Sequence, residues 1–328
     1  MTMKREYAYC DQLKAKIDVM RPFPPETLKS LQEYYRVGLT YSSNALEGNS
    51  LTESETKIVI EDGLTVEGKP LRDTYEALGH AEAYDHLYEI AQEKPLNLTD
   101  ILKLHELFYR KISPESAGKI RTGQVFISGS RYRLPKPSDL PELLGKFVGW
   151  FNDNEKRLHP VEFAALSHQK LVFIHPFIDG NGRVSRLLMN LALMRAGYNI
   201  AIIPPILRGE YIATLEKAHR STGDFCSFIA HCVSETQKDL LRLFGVRPMP
   251  MKGTEESVAT DTAPQILALV KSQPGINTPQ IAERLGISLR TAQRQIKALT
   301  DTGKIIFQGA RKTGGYVVTD QKNGYPRY

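Results

Sequence analysis

Residues 175–186 read HPFIDGNGRVSR and follow the apolar run LVFI. Gly180 and Gly182 predict a tight turn, and the leucines that recur after Ser185 have the spacing of a helix. The turn therefore opens a helix, whose free N–H groups and dipole form a site for a phosphate anion.

The polar side chains of the same stretch suit a reaction on a phosphate. Arg183 and Arg186 are three residues apart, so both lie on one side of the predicted helix, where two guanidinium groups fit a di- or triphosphate. Asp179 can hold a Mg²⁺ ion that the phosphate carries, and His175 can take a proton from an attacking hydroxyl near neutral pH. Each residue alone has a structural alternative, and their combination in one stretch favours the chemical reading.

The stretch resembles HPFx[DE]GNGRxxR, the motif that defines the Fic family, at every specified position. The resemblance extends from about residue 39 to about residue 245. It implies an enzyme that uses ATP and Mg²⁺ to place AMP on a Ser, Thr or Tyr hydroxyl of a target protein. His175 would then be the general base of catalysis, and Asp179 would bind the Mg²⁺ ion.

The resemblance also implies the nucleotide contacts. Arg183 would help to hold the phosphates, Arg186 would reach the γ-phosphate, and Tyr211 would pack against adenine unless it serves only in the core. The residues implied to contact the nucleotide are Ile127, Ser128, Gly129, Ser130, Asp179, Gly180, Asn181, Gly182, Arg183, Ser185, Arg186 and Tyr211. His219 stands where close relatives have asparagine, which leaves the base of the nucleotide open.

Residues 124–134, QVFISGSRYRL, have β-forming residues on both sides of a Ser-Gly-Ser turn and predict a short β-hairpin. A lone hairpin is only marginally stable, so it calls for a role. The family resemblance implies a flap over the nucleotide, along whose edge the target protein binds as an extended segment. A surface hairpin without function is the alternative.

A second motif lies upstream, in YSSNALEGNSLT at residues 41–52. Ser43 and Glu47 are four residues apart and would share one face of a helix. The pattern resembles the inhibitory motif of the family, [ST]xxxE[GN]. It implies that Glu47 pairs with Arg186 and holds ATP in a pose that cannot be attacked in line. Use of the same glutamate to remove AMP from a target stays open, as does a plain surface pattern.

The chain as a whole predicts a mainly α fold, since long stretches before residue 246 carry apolar residues at helical spacing. We expect an N-terminal helical region with the inhibitory motif at 1–100 and a catalytic core with its hairpin flap at 101–245. A linker with two prolines, one glycine and no apolar periodicity follows at 246–261. Residues 262–328 then predict a small winged helix-turn-helix domain.

The C-terminal domain is expected to have a turn at residues 285–287 and a second helix capped by Ser288. Residues 259–328 hold 10 Lys and Arg against 4 Asp and Glu, which accounts for the whole net charge of +6. The basic residues of the second helix and the wing are Arg290, Arg294, Lys297, Arg311 and Lys312. This surface suits DNA, but winged helices also dock proteins, and both readings stay open.

The remaining features exclude other classes of protein. The sequence contains neither a signal peptide nor an apolar run long enough to span a membrane, so we expect a cytoplasmic protein without membrane contact. Cys10, Cys226 and Cys232 are expected to be reduced, and the absence of GxxxxGK[ST] argues against a P-loop enzyme. The sequence is also compatible with two other reactions, the transfer of another nucleotide and the removal of AMP. It is further compatible with a DNA-binding regulator whose core senses a nucleotide, and with a homo-oligomer.

Overall fold

The computed structural model describes residues 2–92, 95–127, 132–248, 262–285, 289–308 and 314–319. The chain divides into two compact units, Met1–Met249 and Pro250–Tyr328. Among the described residues, no helix has both the length and the apolar character needed to cross a membrane. All three cysteines are free and buried, as predicted.

The regular structure described in the first unit is helical. Its helices are α1 Thr2–Asp18, α2 Pro25–Ala45, α3 Glu53–Lys57, α4 Leu71–Ile90, α5 Leu98–Tyr109, α6 Leu140–Asn154, α7 Pro160–Ile174, α8 Asn181–Arg195, α9 Arg208–Lys217 and α10 Gly223–Leu243. A π-helical turn, Ile58–Asp62, continues α3, and 3₁₀ turns at Pro137–Asp139 and Pro205–Leu207 precede α6 and α9. The prediction of a mainly α fold is confirmed.

Helix α8 lies at the centre of this unit. It packs most extensively against α7 and also contacts α2, α4 and α5. Nearly all of its side chains from Asn181 to Leu193 are buried, including Arg183 and Arg186. Because a buried charge is costly unless it is paired and hydrogen-bonded, both arginines must find partners within the protein or in a ligand.

The predicted hairpin at residues 124–134 is not formed as strands in the part that the structure describes. Residues 124–127 and 132–134 are irregular, and the tip at 128–131, which includes Ser128, Gly129 and Ser130, lies outside the described residues. An isolated pair of short strands is only marginally stable in water. The backbone hydrogen bonds of a hairpin therefore need not form where side-chain contacts hold the segment. We call residues 124–134 the flap segment.

The second unit contains α11 Thr262–Ser272, α12 Thr278–Leu285, α13 Leu289–Asp301, β1 Ile305–Gln308 and β2 Gly315–Val318. The two strands are antiparallel, with Ile305 opposite Val318. Its own core includes Ile266, Val270, Ile281, Ile296 and Ile305. The winged-helix prediction is confirmed for these elements.

Several predictions for this unit fall outside the described structure. They concern the turn residues Gly286 and Ile287, the cap Ser288, the wing residues Arg311 and Lys312, and the side chains of Arg290 and Arg294. Lys297 is described and is exposed on α13.

Candidate active site

His175 ends α7 in the left-handed conformation, with φ 51° and ψ 59°. Among the described residues it is the only non-glycine residue with positive φ. Its Nδ1 lies 3.2 Å from the carbonyl oxygen of Val172. A carbonyl only accepts, so Nδ1 carries the proton and the Nε2 lone pair is left to accept another.

The surroundings of His175 keep its imidazole neutral. Burial is the main cause that lowers its pKa, and the positive charge of Arg121 lowers it further, against the opposing effect of the Val172 carbonyl. A neutral imidazole with a free Nε2 is the form that a general base requires at neutral pH.

The turn between α7 and α8 is held rigidly by its own side chains. Gly180 has φ 77°, and a Cβ at this position would lie 2.8 Å from the ring of Phe108. The Asn181 side chain donates to the carbonyl of Phe177 and accepts from its amide, both at 2.9 Å. The first turn of α8 is thereby fixed in place, as an anion site at a helix start requires.

Arg186 has all its donor nitrogens engaged within the protein, and its side chain is 2 % exposed. Nε donates to Ser43 Oγ at 3.0 Å, and Nη2 donates to the Ser43 carbonyl at 2.8 Å and to Glu47 Oε1 at 2.9 Å. Nη1 donates to the Tyr211 hydroxyl at 3.2 Å. The structure therefore brings together Ser43, Glu47 and Arg186, the three residues of the predicted inhibitory contact.

The Glu47 carboxylate lies directly against the first turn of α8. A Cβ at Gly182 would overlap with Glu47 Oε1 and would lie 3.1 Å from Arg186 Nη1. Burial alone would raise the pKa of Glu47, but the charges of Arg186 and Arg183 outweigh it and lower the pKa. Glu47 is thus an anion at neutral pH, seated where the sequence predicts phosphate.

Tyr211 occupies a different place from the one expected of an adenine contact. Its ring is 3 % exposed and packs near Phe225 and Phe228. Its hydroxyl also lies 3.0 Å from His168 Nε2. In this structure Tyr211 supports Arg186 from the core, which agrees with the core-packing alternative, and the adenine contact stays a prediction.

Ser185 lies in the core of the unit. Its side chain is fully buried in α8, and its hydroxyl has no hydrogen-bond partner among the described residues. Position 185 lies inside the helical core, and the expected contact of Ser185 with the nucleotide stays a prediction. Ile127, by contrast, is 39 % exposed on the described limb of the flap segment.

Comparisons with known proteins bear on this arrangement. A Fic/DOC family model matches residues 95–193, and an HTH domain model matches residues 263–317. The protein adenylyltransferase Fic of Drosophila grimshawi is 38 % identical over 245 residues, which cover 73 % of this chain and 49 % of that protein. That of Nematostella vectensis is 36 % identical over 253 residues, covering 75 % and 58 %.

Solved structures give the same result. A glutamate-to-glycine variant of Fic-1 from C. elegans is 30 % identical, with a TM-score of 0.67 over 74 % of this chain and 72 % of that one. This chain belongs to the Fic family. It spans about half the length of the curated Fic relatives that it matches.

The Fic motif makes two further ion pairs that sequence reasoning missed. Arg183 donates from Nε to Asn44 at 2.7 Å and pairs with Glu76 at 2.9 Å. Arg72 pairs with Asp179 at 2.5 Å and with Glu76 at 3.1 Å. The i, i+4 spacing of Arg72 and Glu76 at the start of α4 indicated a mutual ion pair, but nothing in the sequence pointed from them to the Fic motif.

Asp179 fits a metal ion that arrives with a nucleotide. Its side chain is 39 % exposed, so that a ligand can reach it. Among the described residues there is no group of three or more His, Cys, Asp or Glu that could hold a metal alone. Mg²⁺ is commonly held by one or two carboxylates together with phosphate oxygens, and a single carboxylate suits that mode.

His219, the position that leaves the base of the nucleotide open, lies between two aromatic rings. It stacks on Tyr132 with ring centroids 3.8 Å apart and on Phe173 with centroids 3.6 Å apart. Tyr132 belongs to the flap segment and Phe173 to the last turn of α7. The histidine therefore joins the flap segment to the helix that carries His175.

Proposed function

We propose that the chain is a protein adenylyltransferase that transfers AMP from ATP to a Ser, Thr or Tyr hydroxyl of a target protein. The adenylyltransferase names of its Fic relatives support the reaction, and the free Nε2 of His175 beside a rigid helix start supports the chemistry. The target would bind along the flap segment, where Phe126 is 89 % exposed. A cytoplasmic location remains a prediction that cell fractionation would test.

The proposed reaction assigns a task to each group. His175 Nε2 takes the proton of the target hydroxyl, whose oxygen attacks the α-phosphorus, and the bond to the leaving pyrophosphate breaks. The N–H groups of Gly180, Asn181 and Gly182 and the guanidinium groups of Arg183 and Arg186 would hold the phosphates. Asp179 would hold Mg²⁺, whose charge offsets that of the phosphates.

We further propose that Glu47 keeps the enzyme inactive. The observation that carries this is the set of four hydrogen bonds that engage Arg186, one of which is to the Glu47 carboxylate. A γ-phosphate that seeks Arg186 meets an anion already in place, so ATP would bind in a shifted pose. Since transfer depends on in-line alignment, a small shift suppresses it strongly.

The decisive experiment compares Glu47→Gly with the parent chain. The variant, incubated with labelled ATP and Mg²⁺, should incorporate at least about 10-fold more AMP into itself or into lysate proteins. Glu67→Gly, a change at an exposed loop glutamate, serves as the matched control. His175→Ala in the Glu47→Gly chain should abolish transfer while nucleotide binding persists. Equal incorporation by Glu47→Gly and the parent would remove the inhibitory role.

The same site could instead remove AMP or use another nucleotide, and further assays distinguish these activities from AMP transfer. If the parent chain releases AMP from a modified protein and Glu47→Gly does not, the glutamate serves removal rather than inhibition. Competition among the four nucleoside triphosphates tests the base preference, which the histidine at position 219 leaves open.

The second candidate function is that of a DNA-binding regulator. The HTH match at residues 263–317 and the concentration of the net positive charge in residues 259–328 favour it. Binding to duplex DNA should then weaken steeply with salt and should be unaffected by His175→Ala. Tight DNA binding by a chain whose Glu47→Gly variant transfers no AMP would favour the regulator over the enzyme.

A further inference from the structure

Arg121 is a buried arginine outside the Fic motif, 5 % exposed, in the segment that leads into the flap segment. Its guanidinium donates to three backbone carbonyls. Nε donates to His175 at 2.8 Å, Nη1 to Gly123 at 2.9 Å, and Nη2 to Pro135 at 2.8 Å. Its own amide donates to the carbonyl of Pro176 at 2.9 Å.

These bonds connect His175 to both ends of the flap segment, and AMP transfer requires these parts to be aligned with one another. Gly123 and Pro135 lie immediately before and after the flap segment, residues 124–134. His175 lies in a left-handed conformation that costs about 1 kcal/mol or more for a residue with a side chain, so the surroundings must hold it. Its amide donates to Leu171 at 3.1 Å and its carbonyl accepts from Arg121, which fixes both of its peptide groups.

We propose that Arg121 is a positioning residue, which holds the His175 imidazole and both ends of the flap segment in one geometry and thereby sets the turnover rate. This inference rests on the proposed AMP transfer. A planar guanidinium with a rigid fork of donors can bridge three carbonyls at once, and a lysine ammonium cannot. The contacts reach neither α8 nor the predicted phosphate site, so the phosphate contacts should not depend on Arg121, and nucleotide affinity should fall much less than turnover.

The charge of Arg121 has a separate effect. The charged groups that act on His175 are Arg121, Glu47 and Asp179. Burial chiefly lowers the pKa of His175 and Arg121 lowers it further, whereas Glu47 and Asp179 raise it. Loss of the Arg121 charge should therefore raise the pKa of His175, and the base would be protonated up to a higher pH.

The flap segment has a second attachment that makes a variant at Arg121 testable. Tyr132 stacks on His219, which stacks on Phe173 of α7, independently of Arg121. This aromatic stack should keep the second limb of the flap segment near α7 when the guanidinium is removed. A local change in geometry is thus expected, with the helical core retained.

The test uses the full chain with Glu47→Gly and adds Arg121→Lys or Arg121→Gln. Arg195→Gln is the matched control, because the Arg195 side chain is also buried and, besides its 4.0 Å ion pair with Glu155, donates to a backbone carbonyl, that of Ile90. Turnover with ATP, the Kd of the nucleotide by calorimetry, and the pKa of His175 by ¹⁵N imidazole NMR are measured for each.

Both Arg121 variants should lose about 10- to 100-fold in kcat, while the nucleotide Kd changes by a much smaller factor. Arg121→Gln should also raise the pKa of His175 and shift the acid limb of the pH–rate profile to higher pH. Arg121→Lys keeps the charge and should leave that pKa unchanged. Arg195→Gln should change neither kcat nor the pKa.

Parent-like kcat in both variants, or a loss confined to nucleotide affinity, would overturn the proposal. If Arg121→Gln does not fold, the kcat of Arg121→Lys alone tests the positioning role. That variant keeps the positive charge but cannot donate to all three backbone carbonyls at once. The NMR measurement needs no turnover, so a Glu47→Gly chain without AMP transfer would refute the proposed function and still show whether Arg121 governs the basicity of His175.

Discussion

Gly182→Ala should destabilise the parent chain and should stabilise a chain in which Glu47 has been replaced by alanine. In the parent, a Cβ at Gly182 overlaps with Glu47 Oε1, at the far end of a flexible side chain. The carboxylate can leave by rotating, and Arg186 then loses one of its four hydrogen bonds. Without the carboxylate, the closest contact of the methyl group that remains is Arg186 Nη1, at 3.1 Å.

The expected magnitudes follow from these contacts. Alanine in place of glycine in a helix stabilises it by roughly 0.5–1 kcal/mol. A charge-assisted hydrogen bond contributes about 1.5–3 kcal/mol. The Glu47 side chain is 35 % exposed and regains water when displaced, so we take about half of that value. The parent should lose roughly 0.5 kcal/mol and the Glu47→Ala chain should gain roughly 0.5–1 kcal/mol, a coupling of about 1–1.5 kcal/mol.

Trp150, the only tryptophan, lies in the first unit, so its fluorescence reports the unfolding of that unit alone. Urea unfolding of the parent, the two single variants and the double variant completes a double-mutant cycle. A kilocalorie corresponds to a shift of about 2–4 °C in Tm for a unit of this size, which thermal scans resolve. If Gly182→Ala has the same sign in both backgrounds, the carboxylate does not lie against the first turn of α8.

Two further predictions concern the charges around the site. In the Glu47→Gly chain, Arg72→Gln should lower the Mg²⁺ concentration needed for nucleotide binding a few-fold, because Asp179 loses a competing cation; calorimetry that shows no change would contradict this. Burial lowers the pKa of three histidines, to about 3 for His80 and His168 and to about 4 for His105. The unfolded chain takes up these protons near pH 6.5 and the folded chain does not, so the free energy of unfolding should fall between pH 6.5 and pH 4. The loss should approach about 1.4 kcal/mol per pH unit for each histidine, and equal urea midpoints at pH 7.5 and pH 5.5 would refute it.

The sequence predicted the parts of the site that depend on local pattern. Glycines at 180 and 182 and the leucine period after Ser185 indicated the turn and α8, and the structure has both. The contact between Glu47 and Arg186 spans 139 residues, and only the family motif pointed to it. The hairpin prediction also rested on local pattern, but β-forming residues do not make a ladder where side chains such as Tyr132 hold the segment instead.

The partners that sequence reasoning missed are all distant along the chain. Arg72 is 107 residues from Asp179, and Arg121 is 54 residues from His175. Arginine in a helix start or in a loop has no periodicity that marks it as a partner of a remote carboxylate or carbonyl. Only the tertiary fold, which places Arg72 of α4 and the segment that contains Arg121 against the turn between α7 and α8, brings these groups together.

The resting site is a set of matched charges: Arg186 with Glu47, Arg183 with Glu76, and Asp179 with Arg72. Helix α8 is buried on nearly all sides, so its arginines cannot rely on water and need anions whether or not a nucleotide is bound. Breaking a buried pair by removing one partner leaves the other charge uncompensated, which is strongly destabilising. The proposed inhibition by Glu47 and the stability of the nucleotide-free fold would therefore have the same physical origin. A substitution that removes the Glu47 anion should weaken the nucleotide-free chain, and a bound triphosphate should restore the lost stability, since it supplies the missing negative charge.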